Sequence, residues 1–205
     1  MARRAMILPS TTAQDVEICR GFRIFDEHTS FVIYEKNPGD DFEKRLRARM
    51  SAIFGIDRVL SSFCDLRFRN VQYDFSGFSP GGLDFANYDT CNFYYDAPRW
   101  LSGHVPALKK NSPVFFTFDA DYRGRSRLGM DLFPEASLSD RRMVEAGMEH
   151  FPEPGNAGVM GRMLENVARL VACVRSSGIH VEGVEIYKEP PAKATTMVFV
   201  SGVKR

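Results

Sequence analysis

Polar and apolar positions alternate early in this chain in the manner of β-structure. Residues 16–25 and 30–36 carry apolar and β-branched side chains on either side of Asp26-Glu27-His28-Thr29, which predicts two strands joined by a hairpin turn. Asn37-Pro38-Gly39 ends the second strand. From Asp40 or Asp41 the period changes: Phe42, Leu46, Met50 and Ile53 or Phe54 recur at helical spacing until Gly55, so an amphipathic helix is expected there. Val114-Phe115-Phe116-Thr117-Phe118 reads as a strand. Ser139 is the expected cap of a short helix reaching Met148. Val159, Met163, Val167, Leu170, Val171 and Val174 mark a long helix that stops at Gly178. Strands over 181–187 and 196–200 follow, separated by Glu189-Pro190-Pro191-Ala192-Lys193.

Between 63 and 100 the texture is different, with aromatic residues scattered among Asp, Asn, Gly and Ser. Strands are predicted over 66–75 and 91–95, with a loop around Ser79-Pro80-Gly81-Gly82. The resulting order, β-β-α-β-loop-β-β-α-α-β-β, predicts a single α+β domain over 1–205. Its expected architecture is a mainly antiparallel sheet packed against two to three helices, with a long aromatic-rich connection in the middle.

Composition narrows the class without naming a function. A hydrophobic fraction of 44%, a charged fraction of 26% and a net charge of +1 are those of an ordinary globular protein, and they remove any whole-molecule attraction to nucleic acid or anionic membrane. Charged residues interrupt every apolar run well short of the roughly 20 residues that span a bilayer. The first nine residues hold Arg3 and Arg4 but no apolar core or cleavage site, so a cytoplasmic protein with no membrane partner is expected. Cys19, Cys64, Cys91 and Cys173 lie too far apart for a zinc frame or disulfide scaffold, and the four histidines are equally dispersed.

One place resembles chemistry. In an extended chain Asp119 and Asp121 share a face about 6.5 Å apart at the end of a strand, where paired carboxylates can hold Mg²⁺ or Mn²⁺. Arg123, Arg125 and Arg127 follow, suited to neutralising a phosphate. The string Phe116-Thr-Phe-Asp119-Ala-Asp121 resembles the aspartate motif of haloacid-dehalogenase-type phosphatases and the Asp-x-Asp of sugar-nucleotide glycosyltransferases. Either resemblance implies metal-dependent transfer. The phosphatases continue with Gly-Thr or Gly-Val where this chain has Tyr122-Arg123, and the transferases place a nucleotide-binding half before the motif, where this chain has a hairpin and a basic helix.

Two other constellations compete. Lys44, Arg45, Arg47 and Arg49, followed by Arg67 and Arg69 among Phe68 and Tyr73, have the basic and aromatic interleaving of single-strand readers, although Asp74, Asp84, Asp89 and Asp96 oppose a phosphate backbone. Gly155, Gly158 and Gly161 open the long helix without the preceding strand a phosphate loop requires. Tyr88, Tyr94, Tyr95 and Trp100 have polar ends that call for water or a partner, the composition of a contact surface.

The leading expectation is therefore a protein-interaction domain, a subunit of a larger assembly, more readily non-enzymatic than enzymatic, with a protein partner or self-association. No cofactor is expected, Mg²⁺ being the one candidate. Metal-dependent phosphoryl, nucleotidyl or glycosyl transfer through Asp119 and Asp121 stands second, and single-stranded RNA or DNA binding third.

Overall fold

A computed structural model describes residues 3–8, 13–35, 37–55, 64–68, 82–93, 97–120, 133–148, 157–188 and 196–205. Along the chain these form β1 (Arg4–Ile7), α1 (Gln14–Gly21), β2 (Ser30–Tyr34), α2 (Phe42–Phe54), β3 (Cys64–Arg67), β4 (Phe85–Phe93) and α3 (Ala97–His104), which runs into a 3₁₀ turn (Val105–Ala107). Then come β5 (Pro113–Asp119), α4 (Leu138–Ala146), α5 (Ala157–Ser176), β6 (Ile179–Lys188) and β7 (Thr196–Lys204). The strands make a seven-stranded sheet in the order β3-β2-β1-β4-β5-β7-β6.

The pairings β2–β3, β1–β2, β1–β4 and β4–β5 are parallel; only β7 runs against its neighbours β5 and β6. This corrects the expected mainly antiparallel α+β arrangement. The predicted first hairpin does not exist. Its leading arm is helix α1, and its second arm, β2, lies parallel to β1. Val16-Glu17-Ile18 and Phe22-Arg23-Ile24 alternate like a strand, but the chain coils so that Val16 and half-buried Cys19 face inward while Ile18 and Phe22 are left 55% and 79% exposed. A parallel pair needs a crossover, and α1 supplies it.

Helices cover the sheet on both sides. Ala5, Ile7, Phe31, Ile33 and Phe85 pack under α1 and α2, the latter inserting Phe42, Leu46, Met50, Ile53 and Phe54. Met6, Val32, Ala86, Tyr88, Val114, Phe116 and Phe118 point the other way, into a larger core with Leu101 of α3, Val144 of α4 and the apolar stripe of α5. Central β1 is buried on both faces, which is why Ala5-Met6-Ile7 is an uninterrupted apolar run and not an alternating one. Among the described residues no helix is long and apolar enough to cross a membrane.

The carboxyl-terminal third matches expectation more closely. α5 ends before Gly178, whose φ of +92° is the left-handed conformation that suits glycine. The cap of α4 is Ser137, not Ser139. Its hydroxyl accepts from the Asp140 backbone, and the Asp140 carboxylate returns a bond to the Ser137 N–H. Buried Asp140 also holds Arg175 at 2.7 Å, tying α4 to α5.

Two glycines should separate close approach from idle freedom. A Cβ on Gly147 would lie 2.4 Å from the Val184 carbonyl oxygen, whereas one on Gly161, exposed within α5, would meet nothing within 4 Å. Gly147→Ala is expected to lower stability by about 1–3 kcal/mol, and Gly161→Ala to raise it by about 0.5–1 kcal/mol. Urea midpoints of the two variants would decide both.

Candidate functional site

After β3 the chain passes to the other side of β1 to form β4, so the topology reverses between β1 and β4. In open α/β sheets, ligands sit outside the carboxyl ends of the strands at such a point. Here the two strands pair for only two positions, Ala5 with Phe85 and Met6 with Ala86. Beyond Met6 they part, while β4 continues along β5 to Phe93. The strand order therefore puts the switch point beside β4, the strand that continues past the last pair.

Side-chain alternation decides what faces it. Phe85 belongs to the core under α1, and Ala86 and Tyr88 to the core under α3 and α5, so Asn87 and Asp89 project toward α1. From the first turn of α1, Asp15 meets them. Its carboxylate receives a side-chain hydrogen bond from Asn87 and lies close enough to Asp89 to feel its charge. Burial, and after it Asp89, raise the Asp15 pKa, while bonds from the Val16 and Asp15 backbone N–H groups and from Asn87 oppose the rise. Burial and Asp15 push the half-buried Cys19 thiol up to about 11.

Ala13, which precedes α1, is fully buried with φ 47° and ψ 38°. This left-handed conformation costs an L-residue roughly 1–2 kcal/mol. The turn thus has a backbone shape that glycine adopts freely. Yet the sequence from Leu8 to Ala13 contains no glycine.

Glu35 follows β2 directly, its N–H bonded to the Arg67 carbonyl and its carboxylate accepting from the Asn37 N–H at 2.9 Å. Asp119 closes β5. Thr117 is registered with Asp89, and because Phe116 and Phe118 turn to the opposite core, Thr117 and Asp119 share the face of Asn87 and Asp89. The carboxyl edge of the sheet therefore carries Asp15, Glu35, Asp89 and Asp119.

The other residues singled out from the sequence are dispersed. Asp121, Arg69, Tyr94 and Tyr95 lie outside the described residues, and Trp100 sits on α3. Tyr88 is fully buried, stacked on Phe116 at 5.4 Å and edge-on to His104. Lys44 and Arg45 are exposed on α2. Arg47 is paired with Glu43, Arg49 with Glu17, and Arg67 with Asp65 and the Tyr34 hydroxyl. Among the described residues no group of three or more His, Cys, Asp or Glu could hold a metal ion. Asp15, Glu35 and Asn87 were missed. The acid just after a strand, about a β-α-β unit into the chain, is the available signal for Glu35, and it is obscured when no strand is expected over 4–7 and α1 is expected as a strand.

The strand order defines a doubly wound α/β architecture with its switch point between β1 and β4. Similar arrangements occur in S-adenosylmethionine methyltransferases. One is an arsenic(III) S-adenosylmethionine methyltransferase from Chlamydomonas reinhardtii (TM-score 0.53, 13% identity, 98% of this chain and 62% of that one). Another is the O-methyltransferase of tomaymycin synthesis from Streptomyces achromogenes, solved in complex with SAM (0.51, 12%, 100% and 74%). A third is an O-methyltransferase family protein from Burkholderia thailandensis (0.50, 12%, 99% and 51%). This chain thus spans about half to three quarters of their length. No protein-family model matches the sequence, and no curated protein does.

At these identities the likeness establishes the fold. It corrects the expectation of a non-catalytic interaction domain or complex subunit, because the architecture is one shared with transfer enzymes. The cofactor expectation, none or Mg²⁺, is corrected with it: the neighbours are methyltransferases, and one was solved with SAM.

The raised Asp15 pKa carries a signed consequence. The folded state holds this proton more tightly than the unfolded chain, so stability falls as pH rises from about 4 through the folded pKa. Asp15→Asn is expected to melt at a higher temperature than the parent at pH 7, with the gap closing below about pH 4. Thermal melts across pH would show it. An equal gap at every pH would contradict it.

Proposed function

We propose that this protein is a methyltransferase that uses S-adenosylmethionine bound at the switch point between β1 and β4. The observation carrying this reading is the switch point itself: β1 and β4 pair only at Ala5–Phe85 and Met6–Ala86, and Glu35 after β2, Asp89 within β4, Asp119 at the end of β5 and Asp15 at the start of α1 lie toward it.

The residues present fit such a group in position and charge. The cofactor offers an ammonium, a sulfonium and a ribose diol. Glu35 stands where an acid after β2 accepts hydroxyls of a ribose, as in dinucleotide-binding folds. Asp15, which meets Asn87 and feels the charge of Asp89, suits the ammonium of the zwitterionic amino-acid end. Buried Ala13 fills the role of a small residue where helix and strand approach closely, in the backbone conformation of a glycine turn. The departure is the glycine-free run from Leu8 to Ala13.

When bound, the cofactor supplies a methyl group on a positively charged sulfur, which passes to a nucleophile and leaves a neutral thioether. Glu35 would orient the nucleoside by the diol. The Asp15–Asn87 hydrogen bond would fix the carboxylate that receives the ammonium, so that little ordering remains on binding. Asp89 and Asp119, on the same face further along the edge, would accept the proton that an oxygen or nitrogen acceptor gives up. A cytoplasmic setting goes with this reading, and Cys19, Cys64 and Cys173 are free thiols.

Calorimetric titration with S-adenosylmethionine and with its demethylated product tests the proposal directly. Saturable binding of both is expected. Glu35→Gln, which keeps an acceptor for the Asn37 N–H, should weaken both about tenfold or more through loss of a charge-assisted bond. Absence of saturable binding by the parent protein would overturn the reading.

A further inference from the structure

The acid that meets the ribose stands near the margin of the sheet. Glu35 follows β2, and on its outer side β2 is paired only with β3, the last strand in the order. β3 has four residues and no strand beyond it among the described residues. The end of so short an edge strand opens easily, and a side chain carried there is aimed only as well as the backbone beneath it.

Arg67 closes that end. It is the final residue of β3, registered with Tyr34, and its carbonyl accepts the Glu35 N–H at 3.1 Å. Its guanidinium lies over the Tyr34 ring, 5.6 Å from the centroid, and Nη1 donates to the Tyr34 hydroxyl at 3.0 Å. Nε and Nη2 donate to one carboxylate oxygen of Asp65, two residues earlier on β3, at 2.9 and 2.7 Å. Tyr34 is buried in the larger core with Val32 and Tyr88. One guanidinium thus ties the edge strand to a ring anchored in the core, directly before Glu35.

The clamp is well set electrostatically. Burial works against the charge on Arg67, but the Asp65 hydrogen bond, and after it Tyr34, outweigh burial and raise its pKa. Only 10% of the Arg67 side chain is exposed, which makes it a structural cation and not the anion contact that its sequence neighbourhood suggests.

We propose that Arg67 is a positioning residue for the cofactor: by clamping Tyr34 it holds the end of β2 against β3 and fixes the direction in which Glu35 presents its carboxylate to the ribose diol. Its role rests on the reading of Glu35 as the ribose acceptor. Arginine suits the task because its planar fork reaches Asp65 and Tyr34 at once, whereas lysine offers a single point charge on a flexible stem.

Amide hydrogen exchange of the cofactor-free protein tests the clamp itself. Arg67→Ala and Tyr34→Phe should each speed exchange at the Glu35 amide about tenfold, through loss of a charge-assisted bond, and leave the Met6 amide of central β1 as in the parent. Tyr34→Phe keeps the ring in the core, so the test stands even where Arg67→Ala folds poorly. Calorimetric titration with S-adenosylmethionine tests the consequence. Arg67→Ala, Arg67→Lys and Tyr34→Phe should weaken binding about tenfold in the parent but less than about twofold in a Glu35→Gln background, where the clamp has no carboxylate left to aim. A merely structural role would weaken both backgrounds equally. Absence of binding by the parent would overturn the methyltransferase reading and this role with it. With a parent that binds, unchanged exchange at Glu35, variants that bind as the parent does, or equal weakening in both backgrounds would overturn the role of Arg67 alone.

Discussion

Everything in this molecule is arranged around β1. Four residues long, it pairs with β2 on one side and β4 on the other, and Ala5, Met6 and Ile7 are shielded from water on both faces. Its brevity matters as much as its burial. Pairing with β4 ends at Met6, while β4 goes on along β5 and carries Asn87 and Asp89 past the last pair with β1. Parallel pairing also compels crossovers, so the same strand dictates that α1 and α2 lie on one face and α3 and α5 on the other.

Helix α1 links that constraint to chemistry. Running back from the carboxyl edge to the amino edge, it sets Asp15 against Asn87 at one end and leads to Phe22 and Arg23 at the other. It is entered through a strained residue: Ala13 tolerates a left-handed backbone because burial beneath the helix leaves it no alternative. A carboxylate retained in partial burial despite a raised pKa is a second local cost. Two costs converging on one turn are what a functional site, more than a stability optimum, produces.

Charged side chains gather at both ends of the strands. Asp15, Glu35, Asp89 and Asp119 lie toward the carboxyl edge with Arg67; Arg3, Arg23, Lys109 and Lys110 lie toward the amino edge with Asp26, Glu27 and Asp84 among them. A net charge of +1 does not reveal this distribution.

Several elements were legible because their signals are local. The 3.6-residue period of α2 and α5, the glycines that end them and the apolar run of β5 depend on neighbours within a few residues, and each is found where the pattern put it. Asp119 was likewise legible as a carboxylate at a strand end. Strand direction was not, since it is fixed by which segments meet across the sheet. Nor was α1, whose alternation mimics a strand until Phe22 and Ile18 are allowed to face water. The sequence by itself determined a globular chain with those helices, those glycine stops and a carboxylate ending β5. Only the tertiary structure decided that β1 is central, that β1 and β4 part after two pairs, and that Asp15 meets Asn87 across 72 positions, because contacts that distant leave no periodic trace in the residues that make them.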